Sequence, residues 1–191
     1  MPLWYPTLHS LQDAERNFDA IERRQPQLVT ALPANPFDGQ VIDYLADATN
    51  GVVWRFRYRA GSASAFKWEG VGGQQEIFTG QLGDMTNANN TATSLTGGPT
   101  QNIPLSGDWM LSIDITLVPA SASIASAQIY VNGVASVFTG TSSPGQATFY
   151  RRARANSLTG GTSSEIRCSN ANSVSTRYVN GRMGFAPVRV G

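Results

Sequence analysis

Charge is scarce in this 191-residue chain: Asp, Glu, Lys and Arg make up 14% of it, against about 25% in ordinary soluble domains. Its surface is therefore built largely from Ser, Thr, Asn, Gln and Gly, or is covered by another subunit. The net charge is +1, so no overall field draws the chain to nucleic acid or to an anionic membrane. Cys168 is the single cysteine, which excludes an intrachain disulfide. In the alternation "EIRCSN" it reads as a small core residue. His9 is the single histidine, which removes histidine-based triads and multi-histidine zinc sites. No apolar run approaches the roughly 18 residues of a membrane span. "MPLWYPTLHS" has neither the basic start nor the apolar run of a signal peptide. These absences point to a chain made and assembled in a cytoplasm.

What charge there is lies unevenly. No Lys or Arg occurs between Lys67 and Arg151, a stretch that contains Asp84, Asp108 and Asp114, whereas residues 151–191 hold seven Arg and one Glu. A faintly acidic middle and a basic end read as complementary surfaces in an assembly.

The chain opens with a helical pattern. Ser10 and Asp13 suit an N-terminal cap, and Pro26 supplies a stop. Trp4, Leu11 and Phe18 share one heptad position, and Ala14 and Ile21 the other, with Leu28 next in register. A seam this narrow suits association with copies of itself or a partner helix, although two heptads need help from the rest of the chain. A lid helix lying on its own domain is the competing reading. "LPANPFDGQ" (residues 32–40) reads as a linker.

Residues 41–73 form a small three-stranded antiparallel meander by pattern. "QVIDYLAD" alternates, Asn50-Gly51 marks a tight turn, and "AGSAS" turns the chain again. Val52, Trp54, Phe56 and Tyr58 fall on one face, and Val53, Arg55, Arg57 and Arg59 on the other. A nucleic-acid stacking platform needs aromatics and cations on the same side, so this arrangement argues against one. The aromatic face is expected to be buried. Arg55, Arg57 and Arg59 are expected to meet carboxylates or a neighbouring chain, as an assembly face.

From Gln74 onward the pattern is all-β. "DWMLSIDITLVPA" puts Trp109, Leu111, Ile113, Ile115 and Leu117 on one face. "SAQIYVNGVASVFTG" and "STRYVNGRMGFAPV" read as hairpins around Asn132-Gly133 and Asn180-Gly181. "GQATFYRRARA" and "SSEIRCSN" give two more strands. Short strands at this spacing predict a sandwich or jelly roll of roughly eight strands. Residues 84–107 are polar and charge-poor, either an ordered loop with a short strand inside or an exposed tip. The expected fold is mainly β: a short N-terminal helix (1–27), the meander module (28–73) and a C-terminal β-sandwich or jelly-roll-like domain (74–191).

Catalytic chemistry finds little purchase. There is no phosphate-cradling Gly-rich loop, no GxSxG elbow and no EF-hand spacing. A glycosidase would need two carboxylates at a set distance. Asp84, Asp108, Asp114 and Glu165 show no sign of such a pairing, so the chain is expected to be no enzyme and to need no cofactor or metal. Sugar contacts are the better candidates: Tyr130, Tyr150 and Tyr178 lie near Asn132, Arg151 and Asn180, though cross-strand aromatic packing explains them more readily.

The run from Leu28 to Gly73 carries "LP-x-x-P-x-DGQ", "ADA-x-NGV-x-W" and "RYR-x-x-SAS-x-x-KWE-x-VGG". It resembles a module of small virion structural proteins of tailed bacteriophages, in which it follows a short helix and precedes a variable β domain. The resemblance covers residues 28–73, and residues 74–191 share only a general likeness to fibre, spike and decoration heads. It implies a virion protein assembled in the host cytoplasm, a homotrimer contacting other virion proteins. The first expectation is a tail-associated fibre or tip protein meeting a cell-surface glycan. The alternative is a capsid decoration or head-fibre protein.

Overall fold

The computed structural model describes residues 25–72, 76–80, 84–120, 124–138, 145–171, 173 and 175–191. The expected helix and its seam of Trp4, Leu11, Ala14, Phe18 and Ile21 lie outside them. The described residues hold fourteen strands in two sheets. The first part of the chain supplies β1 (Gln27–Val29), β2 (Val41–Asp47), β3 (Val52–Tyr58) and β4 (Trp68–Gly70). Short strands follow: β5 (Ile77–Gly80), β6 (Met85–Asn87), β7 (Thr93–Ser94) and β8 (Thr100–Asn102). The longer ones come last: β9 (Gly107–Pro119), β10 (Ala125–Val131), β11 (Val134–Phe138), β12 (Ala147–Leu158), β13 (Ser163–Asn170) and β14 (Thr176–Val190).

The larger sheet runs β1-β2-β3-β4-β14-β9-β12. Its spine is β14, which pairs antiparallel with β9 along its length and with β6, β5 and β4 in turn on its other edge. The smaller sheet runs β11-β10-β13-β7, with β8 also on β13. One buried cluster joins the two sheets. Trp109, Leu111, Ile113, Ile115 and Leu117 of β9, the face expected from the alternation, enter it with Ala127, Ile129, Ile166 and Cys168 of the smaller sheet. Each such large side chain removed from water contributes about 1.5–3 kcal/mol, which is why strict alternation on β9 decides which way the strand faces.

The meander forms as expected, and Asp47 organises its first turn by accepting hydrogen bonds from the Thr49 and Asn50 backbone N–H groups (2.9 and 3.1 Å). Its aromatic face is buried: Trp54 and Phe56 are fully enclosed in the same cluster as Trp109. Across the boundary drawn at residue 73 the sheet is continuous, because β4 hydrogen-bonds to the last residues of β14.

Two local expectations are corrected, and one alternative is decided. Leu28 is not in a helical seam but in β1, paired parallel to β2 and 63% exposed; Pro26 ends any helix before it. Asn180-Gly181 is not a hairpin turn. Both residues stand opposite the single residue Ile115, between the pairs Val179–Thr116 and Arg182–Asp114. Asn180 takes a left-handed φ of 55°. This is a β-bulge in a continuous strand: Asn180 supplies left-handed backbone, and the ladder on both sides decides whether the dipeptide bends or reverses the chain. Of the two readings of residues 84–107, the ordered one holds: the segment crosses between sheets, with β6 on β14 and β7 and β8 on β13. At Asn132-Gly133, by contrast, the expected hairpin forms between β10 and β11, with φ of 51° and 75°.

Candidate functional site: an arginine-lined cavity on the larger sheet

The outer face of the larger sheet carries a row of alternating charge. Glu69 on β4 is the cross-strand neighbour of Arg57 on β3 and of Arg189 on β14. Arg189 is in turn opposite Asp108 on β9, and Asp108 pairs with Arg154 of β12 at 2.7 Å. Five strands thus contribute Arg57, Glu69, Arg189, Asp108 and Arg154 in sequence.

A second bulge makes this row possible. Along β14, Met183 and Phe185 are buried, and alternation would send Arg189 inward with them. The register shifts between Pro187 and Arg189, so Val188 has no opposite number on β9. Arg189 therefore turns out beside Glu69, while Val190 returns to the core. A bulge re-aims the side chains beyond it, and it also accommodates Pro187, which has no N–H for a ladder.

Glu69 gathers three guanidinium groups: Arg59 Nε at 2.7 Å, Arg189 Nη2 at 3.1 Å and Arg57 Nη2 at 3.9 Å. Its carboxylate is largely buried and the arginines are partly exposed. Together with the turn at Asp38-Gly39 and the loop at Gly61-Ser62 they line a cavity of about 570 Å³. Ala60 N–H donates to Asp38 Oδ1 (2.8 Å), and the Ser64 and Phe66 N–H groups donate to the Ser62 and Ser64 hydroxyls (3.3 and 3.1 Å). The "SAS" sequence thus ties the wall to itself, with short hydroxyls replacing ladder partners. Lys67 Nζ donates to the Ser62 carbonyl. Arg57 Nε is buried without a hydrogen-bond partner among the described residues, a cost of about 1–3 kcal/mol for such a group.

Of the expected assembly face, Arg57 and Arg59 line this cavity, whereas Arg55 makes a two-pronged contact with Asp43 across β2 and β3 (2.8 and 2.9 Å). That hydrogen bond, outweighing a small opposing effect of burial, holds the Asp43 carboxyl below its ordinary range and raises Arg55 in return.

The uneven charge is answered largely within the chain. Arg152 pairs with Glu76 (3.1 Å), Arg154 with Asp108 (2.7 Å), Arg167 with Glu165 (2.7 Å) and Arg177 with Asp84 (3.6 Å). Burial raises the Glu165 carboxyl, but hydrogen bonds from Ser94 and Arg167 together leave it lowered. Glu76, which sequence reading passed over, reaches across β14 at Gly184 to accept a hydrogen bond from Ser112 Oγ (2.7 Å). Its signal was present only as a glycine in a strand, where side chains of neighbouring strands close over the gap.

The three tyrosines are not brought together. Tyr150 is 61% exposed on the larger sheet, in register with Asp114. Tyr130 lies on the smaller sheet, with the Arg167 guanidinium 4.5 Å from its ring centre. Tyr178 is fully buried, and its hydroxyl donates to the Ser169 carbonyl (3.2 Å). Tyr178 thus has no surface with which to meet a sugar: it stands between the sheets, and burial pushes its hydroxyl pKa up.

No family model matches the chain, and no curated protein matches it. Among solved structures, it is similar to a chain of the T13 IBDV viral particle, with 10% identity over 70% of this chain and 37% of that one, TM-score 0.43. It is similar also to a chain of the infectious bursal disease virus Gx strain, with 9% identity over 84% and 59%, TM-score 0.35. A third is the CBM22-1 xylan-binding domain of Paenibacillus barcinonensis Xyn10C, with 11% identity over 82% and 100%, TM-score 0.30. This chain spans 37% and 59% of the length of the two viral chains.

Proposed function

We propose that the chain is a non-enzymatic structural protein of a tailed-bacteriophage virion, an oligomeric tail-associated fibre or tip protein that contacts the host surface. One observation carries the reading. The stretches behind the phage-module resemblance converge on one surface feature: Asp38 and Gly39 of "DGQ", Arg57 and Arg59 of "RYR", Ser62 of "SAS" and Glu69 of "KWE" all line the same cavity. Motif residues scattered through a core would speak for folding alone. Here they meet where another molecule can reach them. On this reading the N-terminal segment trimerises and anchors the protein, and the two sheets form a β-sandwich head of jelly-roll type.

A second reading is favoured by the charge row. Alternating charge across five strands makes a broad polar face, suited to lying on a protein shell, as a capsid decoration or head-fibre protein would. Immunogold labelling of intact virions, with an antibody against residues 74–191, separates the two. Gold at the tail tip is expected. Gold over the head selects decoration, and no gold on either removes the virion reading.

A further inference from the structure

We propose that the cavity between β3, β4 and β14 is a binding site for a sugar acid, a six-carbon ring bearing one carboxylate. This deepens the host-surface reading above and rests on it for the source of the ligand.

Charge is the first ground. Arg57, Arg59 and Arg189 line the cavity against Glu69 and Asp38, and one oxygen of Asp38 is already committed to the Ala60 N–H. Each guanidinium carries five N–H donors in a planar fork matched to a carboxylate. Glu69 cannot accept from more than a fraction of them with its two oxygens, so cationic donors remain in excess. Arg57 supplies the second ground, since its Nε is buried without a partner among the described residues. Its Nη2 also stands 3.9 Å from Glu69, beyond hydrogen-bond reach, so an anionic oxygen in the cavity can take up a donor that folding left unmade.

Size and lining select the class of anion. A single acidic side chain would fill only a corner of about 570 Å³, a volume within the roughly 300–1,000 Å³ of small-molecule sites. The rest of the wall mixes polar groups with apolar ones: the Ser62 hydroxyl, the second oxygen of Asp38 and backbone at Gly39 and Gly61 stand beside Tyr58 and Ala63. A Cβ on either glycine would meet open space, so the backbone there is approachable. Hydroxyl groups suit such a wall, and a carboxylate suits the arginines. A sugar acid carries both on one ring.

Isothermal titration calorimetry of the full chain at low salt, with D-glucuronate, D-galacturonate, D-glucose and acetate as probes, tests the assignment. One or both uronates should bind with one site per chain, and glucose and acetate should not bind at the same concentrations. Arg57→Gln and Arg189→Gln should each weaken uronate binding about tenfold or more, the loss expected for a charge-assisted hydrogen bond. Should either variant melt early, Ser62→Ala reads the hydroxyl side of the site without touching an ion pair, and is expected to weaken uronate binding several-fold. Acetate binding as tightly as a uronate would reduce the cavity to a plain carboxylate site and overturn the sugar assignment, as would no heat with either uronate. Virion labelling fails separately. Gold over the head with uronate binding intact removes the host-surface role but not the site, and gold at the tail tip without uronate binding does the reverse.

Discussion

The indole rings of Trp54 on β3 and Trp109 on β9 meet edge to face, with centroids 5.4 Å apart and 66° between their planes. One tryptophan belongs to the meander and the other to the long strand of the C-terminal region, so this contact joins the two parts alongside the β4–β14 ladder. Such pairs add about 0.5–1.5 kcal/mol beyond the area they bury. Trp54→Ala should cost about 3–5 kcal/mol, and the meander should unfold with the rest in one urea transition. Circular dichroism and tryptophan fluorescence followed together check this. Two separated transitions in the unsubstituted chain would show that the contact does not couple the parts.

Acid should weaken the β2–β3 hairpin through Asp43. The hydrogen bond from Arg55 holds its carboxyl below the ordinary value of 3.8. A carboxyl depressed in the folded state binds its proton more readily when unfolded. Its contribution is therefore fully present above pH 3.8 and is lost as pH falls through the folded-state value. Asp43→Asn should lower the urea midpoint at pH 7 and flatten its fall below pH 4. An unchanged acid slope would assign that slope to other carboxylates.

Gly184→Ala is expected to be damaging although the residue sits in an ordinary strand. A Cβ there would lie 2.5 Å from Ser112 Oγ, 2.7 Å from Glu76 Oε2 and 2.7 Å from Phe78 Cε1. Either Glu76 leaves Ser112 or the ring moves, at about 1–3 kcal/mol. Thermal melting measures the loss, and Glu76→Gln alongside shows how much belongs to the carboxylate. A melting temperature equal to that of the unsubstituted chain would mean that the strand edge yields freely.

Cys168 should be silent to thiol reagents in the folded chain. It is fully buried on β13, and burial pushes its thiol pKa well above the ordinary value, so almost no thiolate forms at neutral pH. Ellman's reagent should react slowly with native protein and at once in about 6 M guanidinium, conditions that unfold most domains. Rapid reaction of the native chain would expose a local opening of the smaller sheet.

Asn180 offers a clean contrast. Its φ is 55° and its side chain is exposed. Asn180→Gly should be nearly neutral, whereas Asn180→Val should cost about 1–2 kcal/mol, the steric cost of left-handed backbone. Denaturant midpoints of the two variants decide it, and equal midpoints would mean that the bulge has moved.

Much of the fold was legible because alternation is a local property. The inward face of β9, the split of aromatics from arginines on β3 and the small core role of Cys168 all follow from period-two patterning, which one strand states without its neighbours. The Asn-Gly dipeptides were legible only by half. Asn132, Gly133 and Asn180 all adopt left-handed backbone, but the first dipeptide reverses the chain and the second bulges it, according to which strands lie alongside. Tyr178 lies two residues before the second dipeptide, where a turn would put it near a sheet end; with no turn it runs on into the core.

By itself the sequence determined that strands would dominate, which residues of β3 and β9 would face inward, and that Arg57 and Arg59 would share a face away from the core. Only the tertiary structure decided what that face would do. Glu69 and Arg189 are separated by more than half the chain, and Arg189 joins them only because Val188 bulges out of register with β9. Local alternation predicts Arg189 on the buried side. The pairing of β14 with both β4 and β9 sets the register that turns it outward, and register between distant strands is not written in either strand alone.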